Sequence, residues 1–312
     1  MPKLKNIYKL CDREIRYKNI RELNLWRKGV MYDFLKPLSP DPVFIVGCSR
    51  AGTTVTYETL RISKAFKSFG YEIPQFWAGL YGPLNNNWES EAANAEQAQS
   101  GHRNAAFRYF YQQLGAGKIL DKTCINVMRI PYLHALFPKA SFIYIHRDGR
   151  DNISSLIEGW KFEGHFNLEQ FYGKFPCDVA INGGEFDKWS FFLPPGWKSY
   201  NQEFLEEVCA FQWLSANRMA LEAKKNIPPL QWHQIRYEDL FEDPETVFHT
   251  VFSKLGIEFE DSIRLRCRNL VNHPTSIVKG KPKLQKWKTQ NPEKINNILH
   301  KINPLLKILG YV

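Results

Sequence analysis

Residues 42–54 read Pro42-Val43-Phe44-Ile45-Val46-Gly47-Cys48-Ser49-Arg50-Ala51-Gly52-Thr53-Thr54, and the fold class is decided here. Four apolar residues, three of them β-branched, lie between Pro42 and Gly47 and predict a buried strand. A helix is expected to start near Thr53 and run through Thr56, Tyr57, Leu60 and Ile62. A strand, a glycine-bearing loop and a helix together form a phosphate cradle. Glycines let backbone N–H groups turn inward, and the helix adds its positive N-terminal end. The two glycines have the spacing of a GxxxxGK[ST] loop, but Thr53 stands where the lysine would be, and the basic residue is Arg50, inside the loop. That lysine reaches the β/γ-phosphates and the next hydroxyl holds Mg²⁺, so triphosphate binding is compromised here. A glycine-rich turn with no ligand is the alternative, but the loop, Arg50 and the paired Thr53-Thr54 after a strand together favour phosphate binding.

The pattern repeats outward from this stretch. Ile119-Leu120 reads as a short strand closing at Asp121-Lys122, and Ser141-Phe142-Ile143-Tyr144-Ile145 as another, ending at His146-Arg147-Asp148-Gly149. Leu230 to Ile235 is a further strand, ending at Arg236-Tyr237-Glu238-Asp239. Helical patterns cover residues 89–114, 124–137, 149–160, 203–225 and 244–256, and residues 1–40 suggest a peripheral N-terminal helix. This alternation predicts one α/β domain over residues 1–312, three-layered, with a mostly parallel central sheet and helices on both faces. Ligands in such sheets sit beyond the carboxyl ends of the strands. Three polar clusters, at 47–54, 121–123 and 146–155, fall at those ends. Residues 161–200 break the regularity with Gly183-Gly184, Pro194-Pro195-Gly196 and many aromatics, which reads as a lid or binding wall, or as an insertion that only packs.

Composition narrows the class. The 312 residues are 44% hydrophobic, enough to bury a full core, and carry a net charge of +10. That field favours an anionic ligand, yet no nucleic-acid motif or aromatic-interleaved basic stripe accompanies it, so no nucleic-acid partner is expected. The six cysteines are scattered without CxxC pairs or zinc spacing, as in reduced thiols of a cytoplasmic protein, and no metal site is expected. Residues 1–10 lack an apolar core for a secretory signal, and no apolar run is long enough for a membrane span.

Arg147, at a strand end, can present its planar fork to a phosphate, and Ser155, two helical turns on, can close the site with a hydroxyl. An Arg–Asp pair capping a helix is the alternative reading. Together with the first loop, Arg147-Asp148-Gly149-Arg150 followed by Ser155 resembles the nucleotide motifs of sulfotransferases that use 3′-phosphoadenosine-5′-phosphosulfate (PAPS). The pattern is nearest to tyrosylprotein sulfotransferases and related bacterial enzymes, and it covers roughly residues 42–260. The resemblance implies a P-loop-like sulfotransferase fold and 5′-phosphosulfate binding by Ser49, Arg50, Ala51, Gly52, Thr53 and Thr54, with Ala51 standing where the family has Ser. It implies 3′-phosphate binding by Arg147 and Ser155, with Tyr237 beside the nucleotide. The basic stretch Lys279-Gly280-Lys281-Pro282-Lys283, preceding Trp287, resembles a closing loop and puts Lys279 and Lys281 against the nucleotide.

For catalysis, the resemblance assigns Glu72, in Tyr71-Glu72-Ile73-Pro74, as the base, in an apolar context that would raise its pKa. Lys122 would neutralise the bridging oxygen as the product 3′-phosphoadenosine-5′-phosphate (PAP) leaves, and Arg50 would hold the sulfuryl oxygens. His102, His134 and His165 are alternative bases. Sulfuryl transfer from PAPS needs no metal. The acceptor is expected to be a hydroxyl, or an amine, on a ring-bearing small molecule, with carbohydrate or peptide acceptors as alternatives and 161–200 as the acceptor-side segment. Rival functions are a nucleotide kinase, disfavoured by Thr53, and a non-catalytic PAP- or nucleic-acid-binding module.

Overall fold

The computed structural model describes residues 2–162, 166–270 and 282–312, with side chains from Tyr17 onward. Its sheet has five parallel strands in the order β2-β3-β1-β4-β5: β1 Val43–Val46, β2 Phe66–Lys67, β3 Lys118–Asp121, β4 Ser141–His146 and β5 Trp232–Arg236. Register pairs Phe44 with Asp121 on one side and with Phe142 on the other, so the ends of β1, β3 and β4 open on one edge. The strand order reverses around β1, and the Gly47–Thr54 loop leaves the sheet at that point.

Strand residues alternate between two cores. Phe44, Val46, Phe142 and Tyr144 face one, built with the helices Ser100–Leu114, Ile130–Leu136, Gly149–Trp160, Leu205–Lys224 and Pro292–Ile308. Val43, Ile45, Ile143 and Ile145 face the other, with Tyr57 and Leu60 of the helix Thr53–Leu60, Phe248 and Phe252 of Pro244–Lys254, and Ile263 of Asp261–Arg268. This is the expected three-layer architecture, apolar on both sheet faces because both are covered. Among the described residues, no helix is long and apolar enough to cross a membrane.

The N-terminal helix runs Pro2–Leu35, and its last turns lie on Ser100–Leu114. Tyr32 Oη donates to Asn104 (3.3 Å), Gln112 Nε2 to Leu25 O (3.1 Å), and Arg108 pairs with Asp33 (3.0 Å).

Four local expectations need correction. The helix after the loop stops at Leu60, short of Ile62. Residues 89–99 are not helical despite their Glu, Ala and Gln: Glu91 exchanges two backbone-directed bonds with Leu193, and the Gln97 side chain caps the Asn94 N–H (2.7 Å), which favours a single 3₁₀ turn. The helix expected at 124–137 is split at Arg129, because Pro131 in the first turn of Ile130–Leu136 cannot continue the 3₁₀ turn Cys124–Met128. The two-residue β2 was not foreseen.

Candidate active site

The Gly47–Thr54 loop takes its shape from close packing. Gly47 passes so near β4 that a Cβ there would lie 2.4 Å from Ile145 O. Gly52 has φ 106°, and its Cβ would meet the Tyr237 ring at 2.3 Å. Arg50 also takes a left-handed backbone, φ 69°, which throws its side chain across the loop mouth, where Nε donates to Ser155 Oγ (3.2 Å). Ser49, Arg50, Gly52, Thr53 and Thr54 line a cavity of about 430 Å³. Ala51 does not: it is fully buried, and its N–H turns back to Cys48 O (3.1 Å), so the backbone donor expected of it is already used.

Arg147 arrives from the end of β4 as predicted. Its Nη1 donates to Arg50 O (3.2 Å), its guanidinium lies 4.6 Å from the Tyr237 ring centre, and Asp151 is 3.7 Å from Nη2. Its Nε is buried without a hydrogen-bond partner, an expensive state for a charged donor. Lys286 faces the same group. Burial, and next Arg147, lower its pKa, with Arg50 and Lys283 adding to the repulsion against Asp151. The Arg50 pKa is lowered in the same way, by burial and then by Arg147. Cations that depress one another around a cavity form a site short of an anion.

Lys283 and Lys286 line the cavity, whereas Lys279 and Lys281 lie outside the described residues. The signal that finds the former pair is Asp151, a buried carboxylate just after Arg147-Asp148-Gly149-Arg150. Its oxygens accept the backbone N–H of Gln285 (2.7 Å) and Trp287 (3.1 Å), fastening this basic segment over the cavity.

Beyond β3, Lys122 Nζ reaches both Thr54 Oγ1 (3.2 Å) and Glu72 Oε1 (2.5 Å), while Glu72 Oε2 accepts the Cys124 N–H (2.8 Å). Glu72, at the cavity wall, therefore sits between an ammonium and an amide rather than in the apolar surroundings expected of it. Neighbouring Asp121 is a structural hub, taking bonds from Thr123 (2.7 Å), Trp77 (2.7 Å) and Asn126 (3.1 Å). His102 bonds Tyr132 and His134 bonds Gln231, both outside the cavity lining; His165 is not among the described residues.

The other cavity wall is apolar: Phe166, Leu168, Phe171 and Phe191 come from the irregular segment, with Pro74 and Ile125 nearby. Phe166 and Phe191 stack at 4.6 Å, tied by the Phe191 N–H to Phe166 O (2.9 Å). Glu91 anchors the segment from below, accepting the Leu193 N–H (2.7 Å) and the Tyr172 hydroxyl. Burial raises the Glu91 pKa to about 7. Sequence reading gave no sign of Glu91, which lies in a stretch misread as helix.

A model of the sulfotransferase family matches residues 42–190 and 186–261. The protein-tyrosine sulfotransferase of Drosophila melanogaster is 22% identical over 297 residues, 86% of this chain and 51% of that protein, so the chain spans about half the length of this relative. The crystal structure of sulfotransferase STF9 from Mycobacterium avium shares the fold, with a TM-score of 0.53 at 14% identity over 93% of this chain and 84% of that one. Mouse sulfotransferase SULT7A1, crystallised with PAP, gives 0.49 at 14% identity over 86% and 85%. With the family model spanning most of the sheet and both arginine-bearing loops, the chain belongs to the sulfotransferase family.

Proposed function

We propose that this enzyme moves a sulfuryl group from PAPS to a hydroxyl on a ring-bearing acceptor. The observation that carries the reading is one cavity with a cationic end at Arg50, Arg147 and Lys286 and an aromatic end at Phe166, Phe171 and Phe191, with Glu72 on its wall and Lys122 bonded to Glu72. Arg147, with its unpartnered Nε, takes the 3′-phosphate together with Lys286, and Tyr237 supports that end. The loop from Ser49 to Thr54 and its helix take the 5′-phosphosulfate, with Arg50 closing on it, while Ser155, which lines the same cavity and accepts from Arg50 Nε, joins Arg147 on the 3′-phosphate.

In the transfer, the acceptor oxygen forms a bond to sulfur while the bond from sulfur to the bridging phosphate oxygen breaks, and PAP leaves with that electron pair. Glu72, as carboxylate, takes the acceptor proton. Lys122, held at Thr54, swings its charge from Glu72 to the oxygen that becomes anionic. Since the leaving phosphate is already activated, the reading requires no metal. The segment around 166–193 forms the acceptor side. A peptide tyrosine is the second reading for the acceptor, favoured by the fly relative, whose name specifies protein tyrosine.

Calorimetric titration with PAP, adenosine 5′-phosphosulfate and ATP, without metal, tests the donor. Tight binding of PAP alone supports the assignment; preference for ATP with Mg²⁺ overturns it. Lys122→Ala is expected to hold PAP within about threefold while losing at least ~100-fold in turnover with a phenolic acceptor panel. Retained turnover removes Lys122 from the chemistry.

A further inference from the structure

From Tyr17 onward the helix Pro2–Leu35 has two apolar faces, and the body covers one. Leu25, Gly29 and Tyr32, spaced four and three apart, meet the helix Ser100–Leu114. The second face is bare. Ile20 and Met31, and likewise Leu23 and Phe34, lie about three turns apart, and Tyr17 and Leu35 about five, so all six share one side. Exposure is 59% for Ile20, 58% for Leu23 and 86% for Phe34, with Trp26 at 63% on the flank. Isolated exposed apolar residues are ordinary, but a row of six along one helix is an interaction surface.

Charge identifies the partner. The helix holds nine Lys and Arg against four Asp and Glu, a net of +5, half the chain's +10. Arg27 lies in the apolar row itself, about two turns from both Ile20 and Phe34, and Arg21 and Lys28 border it. Of the acids from residue 17 onward in this helix, Asp33 is engaged by Arg108, and Glu22, though exposed, projects from the side of the helix opposite the apolar row. A second copy docked through this face would set Arg21, Arg27 and Lys28 against their own equivalents. An anionic lipid surface instead receives the aliphatic and aromatic groups in its interfacial layer and the basic groups at its headgroups.

We propose that this helix is a docking arm for an anionic bilayer surface, lying in the interface rather than crossing it, so that catalysis takes place beside a membrane. The test is sedimentation of the full chain with vesicles of phosphatidylcholine alone and with phosphatidylglycerol added. Partitioning is expected to rise at least ~10-fold with the anionic lipid and to fall back at about 0.5 M salt. Leu23→Ser with Phe34→Ser, and separately Arg21→Gln with Arg27→Gln and Lys28→Gln, should each abolish most of that binding. Because these side chains are exposed, far-UV circular dichroism and PAP affinity should remain unchanged. Equal partitioning onto both vesicle types, or onto neither, overturns the proposal. So does a dimer seen by light scattering that the Leu23/Phe34 variant disperses, since the face then belongs to a second copy.

Discussion

Replacing Arg147 by methionine removes the guanidinium while keeping most of its bulk against Tyr237. Of the five N–H groups, one on Nη1 is taken by Arg50 O (3.2 Å), and Nη2 leans toward Asp151 at 3.7 Å. Nε is buried and unpartnered. About three N–H groups therefore remain, of which a bidentate contact to a 3′-phosphate uses two, at roughly 1.5 kcal/mol each for bonds to a charged group. The expected loss is about 3 kcal/mol, or roughly 100-fold in Kd for PAP. Stability should change little, because Asp151 keeps its bonds from Gln285 and Trp287. Calorimetry with PAP and with AMP, which lacks the 3′-phosphate, separates the role from general damage: PAP should weaken about 100-fold and AMP by no more than about threefold. Equal losses for the two ligands would refute the assignment and leave Arg147 as a shaper of the loop.

Gly52→Ala forces a side chain into a backbone at φ 106° and against the Tyr237 ring, so PAP affinity should drop at least ~10-fold by calorimetry, from about 1–2 kcal/mol of backbone strain and the displaced ring. Asp151→Ala frees the segment carrying Lys283 and Lys286; hydrogen exchange at Gln285 and Trp287 should quicken and PAP bind more weakly, and unchanged exchange counts against the tether. Glu91, raised from 4.5 to about 7 by burial, holds a proton in the folded state that the unfolded chain releases. Its contribution is whole below about pH 4.5 and is lost as pH rises through about 7, amounting to about 3 kcal/mol. Urea midpoints at about pH 5 and 8 should therefore differ less in Glu91→Gln than in the parent. Asp121, raised to about 6 by burial, keeps a residual slope of the same sign.

The cationic end of the cavity was legible because each piece is local in sequence. β1 and β4 are marked by runs of four apolar residues, Val43–Val46 and Phe142–Ile145; Lys122 and Arg147 follow their strands directly, and Arg50 comes four residues after β1. The convergence of the strand ends then follows from parallel pairing, with no long-range contact to guess. Features made by distant contacts were not legible. Residues 89–99 have helical composition, but Leu193, a hundred residues on, claims the backbone of Glu91. β2 is two residues long, too short for any periodicity. Glu72 lacks an apolar setting because Lys122 and the Cys124 amide bond to it. The basic segment near the C-terminus stood out by charge, but which of its lysines face the cavity is decided by two amides bound to Asp151, and backbone bonds leave no trace in residue type.

The aromatic wall is an excursion between the helices Gly149–Trp160 and Leu205–Lys224, held to the body by Glu91 through Tyr172 and Leu193 and by Gln212 through Ser190 and Phe192. None of the donor-binding loop is borrowed from it. On the proposed reading, exchange of Leu168 or Phe171 would alter which acceptor is received and leave Arg147 and Lys286 in place, whereas Phe166, whose ring centre lies 5.9 Å from the Arg50 guanidinium, bears on both ends of the cavity.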